Sequence, residues 1–263
     1  MIVTRSWLEE YVDLEGISNE ELTSKLNNIG LEVDEVKEIN IPKNVVVGKV
    51  ISCIKHPNAD KLNFCRVDVG DEVLDIVCGA SNVKDAEFVA VAKIGAVLPG
   101  DFEIKKANIR GMDSYGMICS SSELGLPELD EGIMILDDSI GELVIGKELR
   151  EYKKINDTII GIDLTANRGD CQSIYGVARD LSAAFKRELF PFEFFDHYKS
   201  KIGIAREVKV NLEGEFDGAI EYNLFFIDKF NIKLLTKLRD KFVELDAKDE
   251  FDYISLYAAH SSG

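Results

Sequence analysis

Short runs rich in β-branched residues follow one another at nearly regular spacing from residue 44 to residue 109, and they restrict the fold more than any other feature. Corners that contain Gly, Asn or Pro separate the runs, and this pattern is typical of an all-β barrel. The runs are NVVVGKVISCI, NFCRVDVG, EVLDIVCGA, EFVAVAKIG and EIKKANI. We therefore expect five strands that close on one another, with little helix between them.

The alternation within NFCRVDVG assigns its side chains to two faces. Cys65, Val67 and Val69 share one face, whereas Phe64, Arg66 and Asp68 share the other. A five-stranded Greek-key barrel of the OB type matches about a hundred residues, and such barrels bind oligonucleotides on a strand face and the adjoining loops. We assign residues 40–151 to this barrel.

The segment before the barrel predicts a helix over residues 18–30. Ser18 and the residue three positions later form a capping box, and Leu22, Leu26 and Ile29 form one apolar stripe. Gly30 supplies the left-handed stop, and LEVDEVKEI follows as a strand. This small unit buries too little surface to be stable alone, so we expect it to pack against another part of the chain.

The segment after the barrel is similar in size and style. TIIGIDLT predicts a strand, and NRGDCQSIYGVARDLSAAFKRE predicts an amphipathic helix with Asp170 as its cap. The buried stripe of this helix is expected to contain Ile174, Val177, Ala178, Leu181 and Phe185. Residues 1–39 and 152–195 are therefore predicted to form one discontinuous domain into which the barrel is inserted.

A third α+β domain is expected to begin near residue 200. Strands are predicted near EVKVNL and YNLFFIDKF, and a helix through KLLTKLRDKFVEL. Little sequence remains to complete a core, so residues 200–263 are predicted to be the truncated start of that domain and the chain a piece of a longer polypeptide. The predicted fold class is α+β and multidomain.

Composition limits the kinds of partner. The net charge is −17, and residues 40–150 contain 12 Lys and Arg against 18 Asp and Glu, so a nucleic acid would need a local patch of cations. The five cysteines form no CxxC pair, which argues against a zinc site and favours reduced thiols in the cytoplasm. No apolar run predicts a membrane span, and the first residues do not resemble a signal peptide.

Two polar stretches are candidates for such a patch. In HPNADKLNFCRVDVG and the residue before it, Lys55, His56 and Lys61 would lie at the rim of the barrel, although the stretch is also typical of a plain turn. In IKKANIRGMDSYGMICSSSELGL, cations, hydroxyls and an aromatic ring could contact phosphates and bases, although a solvated strand face and a glycine-rich hairpin explain the same pattern. The candidates in this second stretch are Lys105, Lys106, Arg110, Ser114 and Tyr115.

Together these stretches resemble the tRNA-binding OB module that is appended to several tRNA synthetases. The order HPNADKL, VCGA, IGAVLPGDF, IRG and ELG resembles the beta chains of bacterial phenylalanyl-tRNA synthetases, and the flanks agree through SWLEEYVDL, NIGLEVDEV and TANRGDC. The resemblance covers roughly residues 1–190. This chain departs from the family's usual residues at Ser81, Ala166 and Gly169.

The resemblance implies tRNA and a catalytic alpha chain as partners, in an α2β2 assembly that uses ATP and Mg²⁺ in the holoenzyme. No cofactor, metal ligand or catalytic residue is expected in this segment, because no nucleophile elbow, HExxH, Walker loop or GxGxxG occurs. Asn167, Arg168 and Asp170 are expected to hold a turn closed. The alternatives are a stand-alone tRNA-binding or chaperone protein, and a barrel that contacts only protein.

Overall fold

Strand pairing places a nearly closed barrel-like sheet between two pieces of chain that share a smaller sheet. The computed structural model describes residues 1–129, 131–192 and 232–262. The strands are β1 (Ile2–Thr4), β2 (Glu32–Glu38), β3 (Val45–Lys55), β4 (Asn63–Asp68), β5 (Val73–Cys78), β6 (Phe88–Lys93), β7 (Val97–Leu98), β8 (Phe102–Glu103), β9 (Ala107–Ile109), β10 (Met112–Ser114), β11 (Gly116–Ile118), β12 (Ile135–Leu136) and β13 (Thr158–Asp163). The helices are α1 (Arg5–Leu8), α2 (Asn19–Asn28), α3 (Ile174–Phe185), α4 (Leu234–Phe242) and α5 (Glu250–Ser262).

The larger sheet has the order β11-β6-β3-β4-β5, with β12 also paired to β6. Strand β3 pairs with β6 through its first half and with β4 through its second half, and the register shifts by one residue at Ile51. At the open side, the Tyr115 N–H donates to the Asp75 carbonyl over 2.8 Å. The sheet thus almost closes on itself, which fits the predicted OB-type module.

Gly48 lets the strands of the barrel approach one another closely. A Cβ at this position would lie 2.5 Å from Val91 Cγ2 and 2.7 Å from Val67 Cγ1, well inside van der Waals contact. The barrel interior is filled by apolar side chains, among them Val46, Cys65, Val67, Val69, Leu74, Ile76, Val89, Val91 and Ile118. Cys65, Val67 and Val69 therefore point inward, and the two-face prediction for β4 is confirmed.

The run EIKKANI is not the single strand that its composition predicts. Glu103 ends β8, which pairs with β7, and Ala107 begins β9, which pairs with β10. Between them Ile104 is buried, and its N–H donates to the Ala96 carbonyl over 2.8 Å. Because Ile104 is bonded back to the preceding loop, the chain must turn before β9, and the two lysines lie exposed at that turn.

The smaller sheet joins the two flanks of the barrel. Strand β13 lies between β1 and β2 and is antiparallel to both. The predicted helix after residue 18 is confirmed as α2, and the Ser18 hydroxyl accepts from the Glu21 N–H over 3.1 Å. Such pairing across the inserted barrel is consistent with a discontinuous domain, whose boundaries stay predictions.

The cap of α3 differs from the predicted one. The Ser173 hydroxyl accepts from the Gly176 N–H over 3.1 Å, so Ser173 rather than Asp170 caps the helix. The chain at residues 169–171 forms a separate 3₁₀ turn, and the Asp170 carboxylate pairs with Arg168 and Arg179. An arginine on each side thus holds this carboxylate away from the helix N–H groups. The predicted buried stripe is confirmed, with Phe185 only partly buried.

Helices α4 and α5 pack against the first residues of the chain within one compact unit. Arg239 is almost fully buried; its guanidinium lies 4.6 Å from the centre of the Trp7 ring and donates to the Glu10 carboxylate over 2.6 and 3.2 Å. The predicted helix through KLLTKLRDKFVEL is confirmed as α4, whereas the two predicted strands before it lie outside the described residues. The third domain and the multidomain arrangement stay predictions.

None of the helices that the structure describes combines the length and apolarity needed to cross a membrane.

Asp157 connects the beginning of α1 to the beginning of β13. Its buried carboxylate accepts from the Ser6 N–H over 2.9 Å, the Ser6 hydroxyl over 2.5 Å and the Thr158 N–H over 2.8 Å. We expect Asp157→Ala to lower the free energy of unfolding in urea by about 2–3 kcal/mol, because buried donors lose their acceptor. Asp157→Asn keeps a carbonyl acceptor and should lose less. Equal stability of the alanine variant and the wild type would contradict this role.

The same carboxylate gives stability a dependence on pH. Burial raises the pKa of Asp157 above its ordinary value of 3.8 despite the hydrogen bonds that it accepts. The folded state therefore keeps this proton where the unfolded state has lost it, and the contribution of Asp157 to stability should fall as pH rises from 3.8 through the folded-state pKa. In urea unfolding across acid pH, the free energy of unfolding of the wild type minus that of Asp157→Asn should show this decline, because the other carboxyls contribute equally to both proteins.

Candidate nucleic-acid interface

His56 lies under the loop between β3 and β4 rather than on its surface. Its side chain is buried, and Nδ1 accepts from the Asn58 N–H over 3.0 Å. Nε2 lies 3.1 Å from the carbonyl of Ile109 at the end of β9. Because Nδ1 is an acceptor and a carbonyl faces Nε2, the proton belongs on Nε2. His56 therefore ties this loop to the neighbouring hairpin through both ring nitrogens.

The hairpin of β9 and β10 presents Arg110 at its tip. Ile109 pairs with Met112, so Arg110 and Gly111 form a two-residue turn, and both have positive φ, 53° and 90°. Such a turn suits Asn-Gly, because an arginine in the left-handed region is strained. The Asn58 side-chain amide donates to the Arg110 carbonyl over 3.1 Å. The structure therefore brings the two sequence stretches together at this tip.

The five candidate cations are all exposed, but they differ in their partners. The Lys105 Nζ atom lies 2.7 Å from a carboxylate oxygen of Glu103. The Lys106 Nζ atom lies 2.7 Å from a carboxylate oxygen of Asp113 and 4.8 Å from the centre of the Tyr115 ring. Within the described residues, no carboxylate forms an ion pair with the other three cations, Lys55, Lys61 and Arg110. These three are available to an anion without breaking an ion pair, whereas Lys105 and Lys106 must exchange a carboxylate.

The carboxylate of Asp113 organises the base of the hairpin. Hydrogen bonds from Lys106 and Asn108 lower its pKa, and the Asp113 carboxylate in turn raises the pKa of Lys106. Asn108 donates to Asp113 over 2.8 Å and accepts from the Gly111 N–H over 3.1 Å. Both ionised forms are therefore favoured at neutral pH, and Lys106 keeps its positive charge.

Ser114 and Tyr115 occupy the seam of the barrel. The Ser114 side chain is buried; its hydroxyl accepts from the Val77 N–H over 3.1 Å and donates to the Gly116 carbonyl over 3.0 Å. Tyr115 is half-buried, and its hydroxyl donates to Asp113 over 3.4 Å. Ser114 thus already uses its hydroxyl within the chain, and a nucleic-acid contact by either residue stays a prediction.

An apolar row on the outer face of the barrel was not identified from sequence as a contact. Ile54 pairs with Phe64, and Phe64 pairs with Val77, so the three side chains lie side by side across β3, β4 and β5. Ile54 is 60% exposed, and Phe64 and Val77 are half-buried. The alternation in NFCRVDVG puts Phe64 outside, but only the register brings apolar neighbours to both of its sides.

The second candidate cluster lies away from these loops, at the turn before α3. The Arg168 guanidinium donates to Asp170 over 3.1 and 3.4 Å, to Cys171 Sγ over 2.7 Å and to the Asp180 carboxylate. Arg168 lowers the pKa of Asp170, and burial raises the pKa of Cys171 to about 12. Asn167 accepts from the Thr165 hydroxyl over 2.7 Å. Among the described residues, Asp170, Cys171 and Asp180 are the only group of three whose possible metal-binding atoms lie close together. The Arg168 side chain already contacts all three.

Arg110 provides a test of the hairpin that is independent of any ligand. Asparagine tolerates the left-handed region better than arginine, so Arg110→Asn should raise the free energy of unfolding by up to about 1 kcal/mol. The Asn58 bond to the backbone carbonyl of residue 110 is retained in this variant. Arg110→Ala removes the same charge without the conformational gain, so its unfolding in urea should match that of the wild type. A destabilised Arg110→Asn variant would contradict the turn.

Comparison with known proteins matches the segment of the chain that contains both loops. The family model described as "Putative tRNA binding domain" matches residues 45–142, which include the barrel and both loops. The phenylalanine–tRNA ligase beta subunit of Campylobacter jejuni strain RM1221 is 46% identical over all of this chain and 34% of its own length. That of Sulfurimonas denitrificans is also 46% identical, with the same coverage. The resemblance is confirmed, and the chain spans about one third of these relatives.

Proposed function

We infer that this chain belongs to the family of phenylalanine–tRNA ligase beta subunits, and we propose that it contributes tRNA binding and subunit scaffolding to that enzyme. One observation carries the binding part. The segment matched by the tRNA-binding family model contains two loops that contact each other and bear exposed cations. Exposed cations on loops that are bonded to each other can meet a phosphate backbone, and they support the proposal in spite of the overall negative charge.

The chemistry of the whole ligase would lie elsewhere in the assembly. The relatives are about three times as long as this chain, and no catalytic motif occurs in its sequence. We propose that the partner is a catalytic alpha chain in an α2β2 assembly in the cytoplasm. That chain would bind ATP and Mg²⁺. The sheet of β1, β13 and β2 and the helices packed on it would then brace the beta chain against its partner.

The cations differ in whether an ion pair must break before they can contact a phosphate. Lys55, Lys61 and Arg110 can meet phosphates directly, whereas Lys105 and Lys106 first release Glu103 and Asp113. Exposed ion pairs of this kind are weak, so the exchange is inexpensive. Because residues 40–150 carry more acidic than basic groups, affinity should be modest and should fall steeply with salt. His56 and Asn58 would act as positioning residues that hold the two loops together.

Phe64 adds a surface on which a base could stack. Its ring lies between Ile54 and Val77 on the outer face of β4, beside strands that end at the cationic loops. Base stacking on an aromatic side chain is tolerant of sequence, because every base presents a π face. We propose that the cations hold the backbone of the tRNA and that Phe64 receives an unpaired base.

Two other functions remain as outcomes of the tests. A stand-alone tRNA-binding or chaperone protein would have no reason to match longer ligase subunits along all of its length, as this chain does. A barrel that contacts only protein is the second alternative, and the acidic composition of residues 40–150 is the observation in its favour. Binding measurements on the cation variants separate this alternative from the proposal.

Loss of three cations should weaken tRNA binding uniformly. The variant Lys105→Ala/Lys106→Ala/Arg110→Ala should bind labelled tRNA less tightly, and the slope of log K against log salt should fall by about 1 for each phosphate contact removed. The control Lys25→Ala/Lys37→Ala/Lys153→Ala loses the same charge outside the barrel and should bind like the wild type. An unchanged affinity and slope in the first variant, or an equal loss in both, would remove tRNA binding from this surface.

Phe64 should contribute affinity that does not depend on salt. Phe64→Ala is expected to weaken tRNA binding by about 1–3 kcal/mol, the usual contribution of one stacked base, with the salt slope unchanged. Ile94→Ala removes another exposed apolar side chain outside the row and serves as the matched control. Wild-type affinity in Phe64→Ala would exclude stacking at this position and leave the cation proposal intact.

A further inference from the structure

Cys53 and Cys65 face each other across two neighbouring strands of the barrel. Cys53 on β3 pairs with Cys65 on β4, and their sulfur atoms are 3.2 Å apart. The strand pairing places no other cysteine directly opposite Cys53 or Cys65. Cys78 on β5 pairs with Asn63, so it lies diagonally across from Cys65. Two thiols are therefore already in contact, without any movement of the backbone.

The hydrogen-bonding phase of the ladder places this pair at a favourable position for a disulfide. The His56 N–H donates to the Leu62 carbonyl over 3.0 Å, so residues 56 and 62 form a hydrogen-bonded pair. Along an antiparallel pair of strands, hydrogen-bonded residue pairs alternate with non-hydrogen-bonded pairs. Cys53 and Cys65 lie three residue pairs before the pair of residues 56 and 62, so they form a non-hydrogen-bonded pair. Cα atoms in such pairs are about 4.5 Å apart, at the short end of the range that disulfides span.

The two thiols differ in access to solvent. Cys65 is fully buried, and burial raises its pKa, so it remains protonated at neutral pH. Cys53 is only half-buried, and the other cysteines, Cys78, Cys119 and Cys171, are buried. An oxidant in solution would therefore meet Cys53 first, with Cys65 directly behind it.

We propose that Cys53 and Cys65 are an oxidation site that forms a cross-strand disulfide on exposure to a peroxide. The Cys53 thiolate attacks one peroxide oxygen, the O–O bond breaks, and Cys53 becomes a sulfenic acid as hydroxide leaves. The Cys65 sulfur then attacks the Cys53 sulfur, and the departing hydroxide takes the thiol proton and leaves as water. Two thiols and one hydrogen peroxide thus give one disulfide and two waters.

The disulfide would link β3 to β4 at the base of the loop that carries His56 and Lys61. The link closes a short loop of chain, so it restricts the unfolded state more than the folded one. The proposal concerns the covalent site alone and does not depend on tRNA binding. It also agrees with a reducing compartment, because the pair stays as thiols until an oxidant arrives.

The experiment treats the reduced 263-residue protein at low concentration with hydrogen peroxide and counts thiols after denaturation. The count should fall from five to three, the mass should fall by two hydrogen atoms, and a non-reducing peptide map should join the peptides of Cys53 and Cys65. Dithiothreitol should restore all five thiols. The chain should remain a monomer on a non-reducing gel.

Two serine variants make the result specific. Cys53→Ser alters a half-buried position and should abolish the disulfide, whereas Cys78→Ser keeps the pair and should form it as the wild type does. Three results would overturn the proposal: sulfinic acid at Cys53 with free Cys65, a cross-link between Cys65 and Cys78, or a disulfide-linked dimer. A loss of two thiols that persists in Cys53→Ser would overturn it as well.

Discussion

Strand β3 is the element on which the rest of the barrel depends. It pairs with β6 along one half and with β4 along the other, and the extra residue at Ile51 bends it between the two. Gly48 lies where β3 approaches the inward side chains of β4 and β6 closely, because a Cβ there would collide with Val67 and Val91. Without that bend the sheet would stay open, and the seam between Asp75 and Tyr115 could not form.

Closure of the barrel also sets the positions of the two polar loops. The loop after β3 and the hairpin of β9 and β10 meet because His56 and Asn58 bond to the backbone of Ile109 and Arg110. These bonds involve no cationic side chain, so joining the loops does not use the exposed lysines or the Arg110 guanidinium. A strongly acidic chain can in this way carry exposed cations on two joined loops, and salt screens the carboxylates that lie farther away than a Debye length.

Much of the fold follows from sequence pattern, but several local features do not. The four main barrel strands β3 to β6, the flanking strands β2 and β13 and helices α2 and α3 are visible as runs in the sequence, because burial on one face imposes the period. The break in EIKKANI is not visible, because it depends on the bond from Ile104 to Ala96. The cap of α3 is Ser173 instead of Asp170 because two arginines hold the Asp170 carboxylate elsewhere.

The sequence by itself determined which residues could form a barrel, which side chains face inward along β4, and which family the chain resembles. These depend on local periodicity and on the order of motifs along the chain. Only the tertiary structure decided that His56 is a buried link, that three of the five cations are unpaired within the described residues, and that Phe64 lies between Ile54 and Val77. The physical reason is register: residues distant in sequence become neighbours only when the strands pair, and a shift of one residue would exchange every partner.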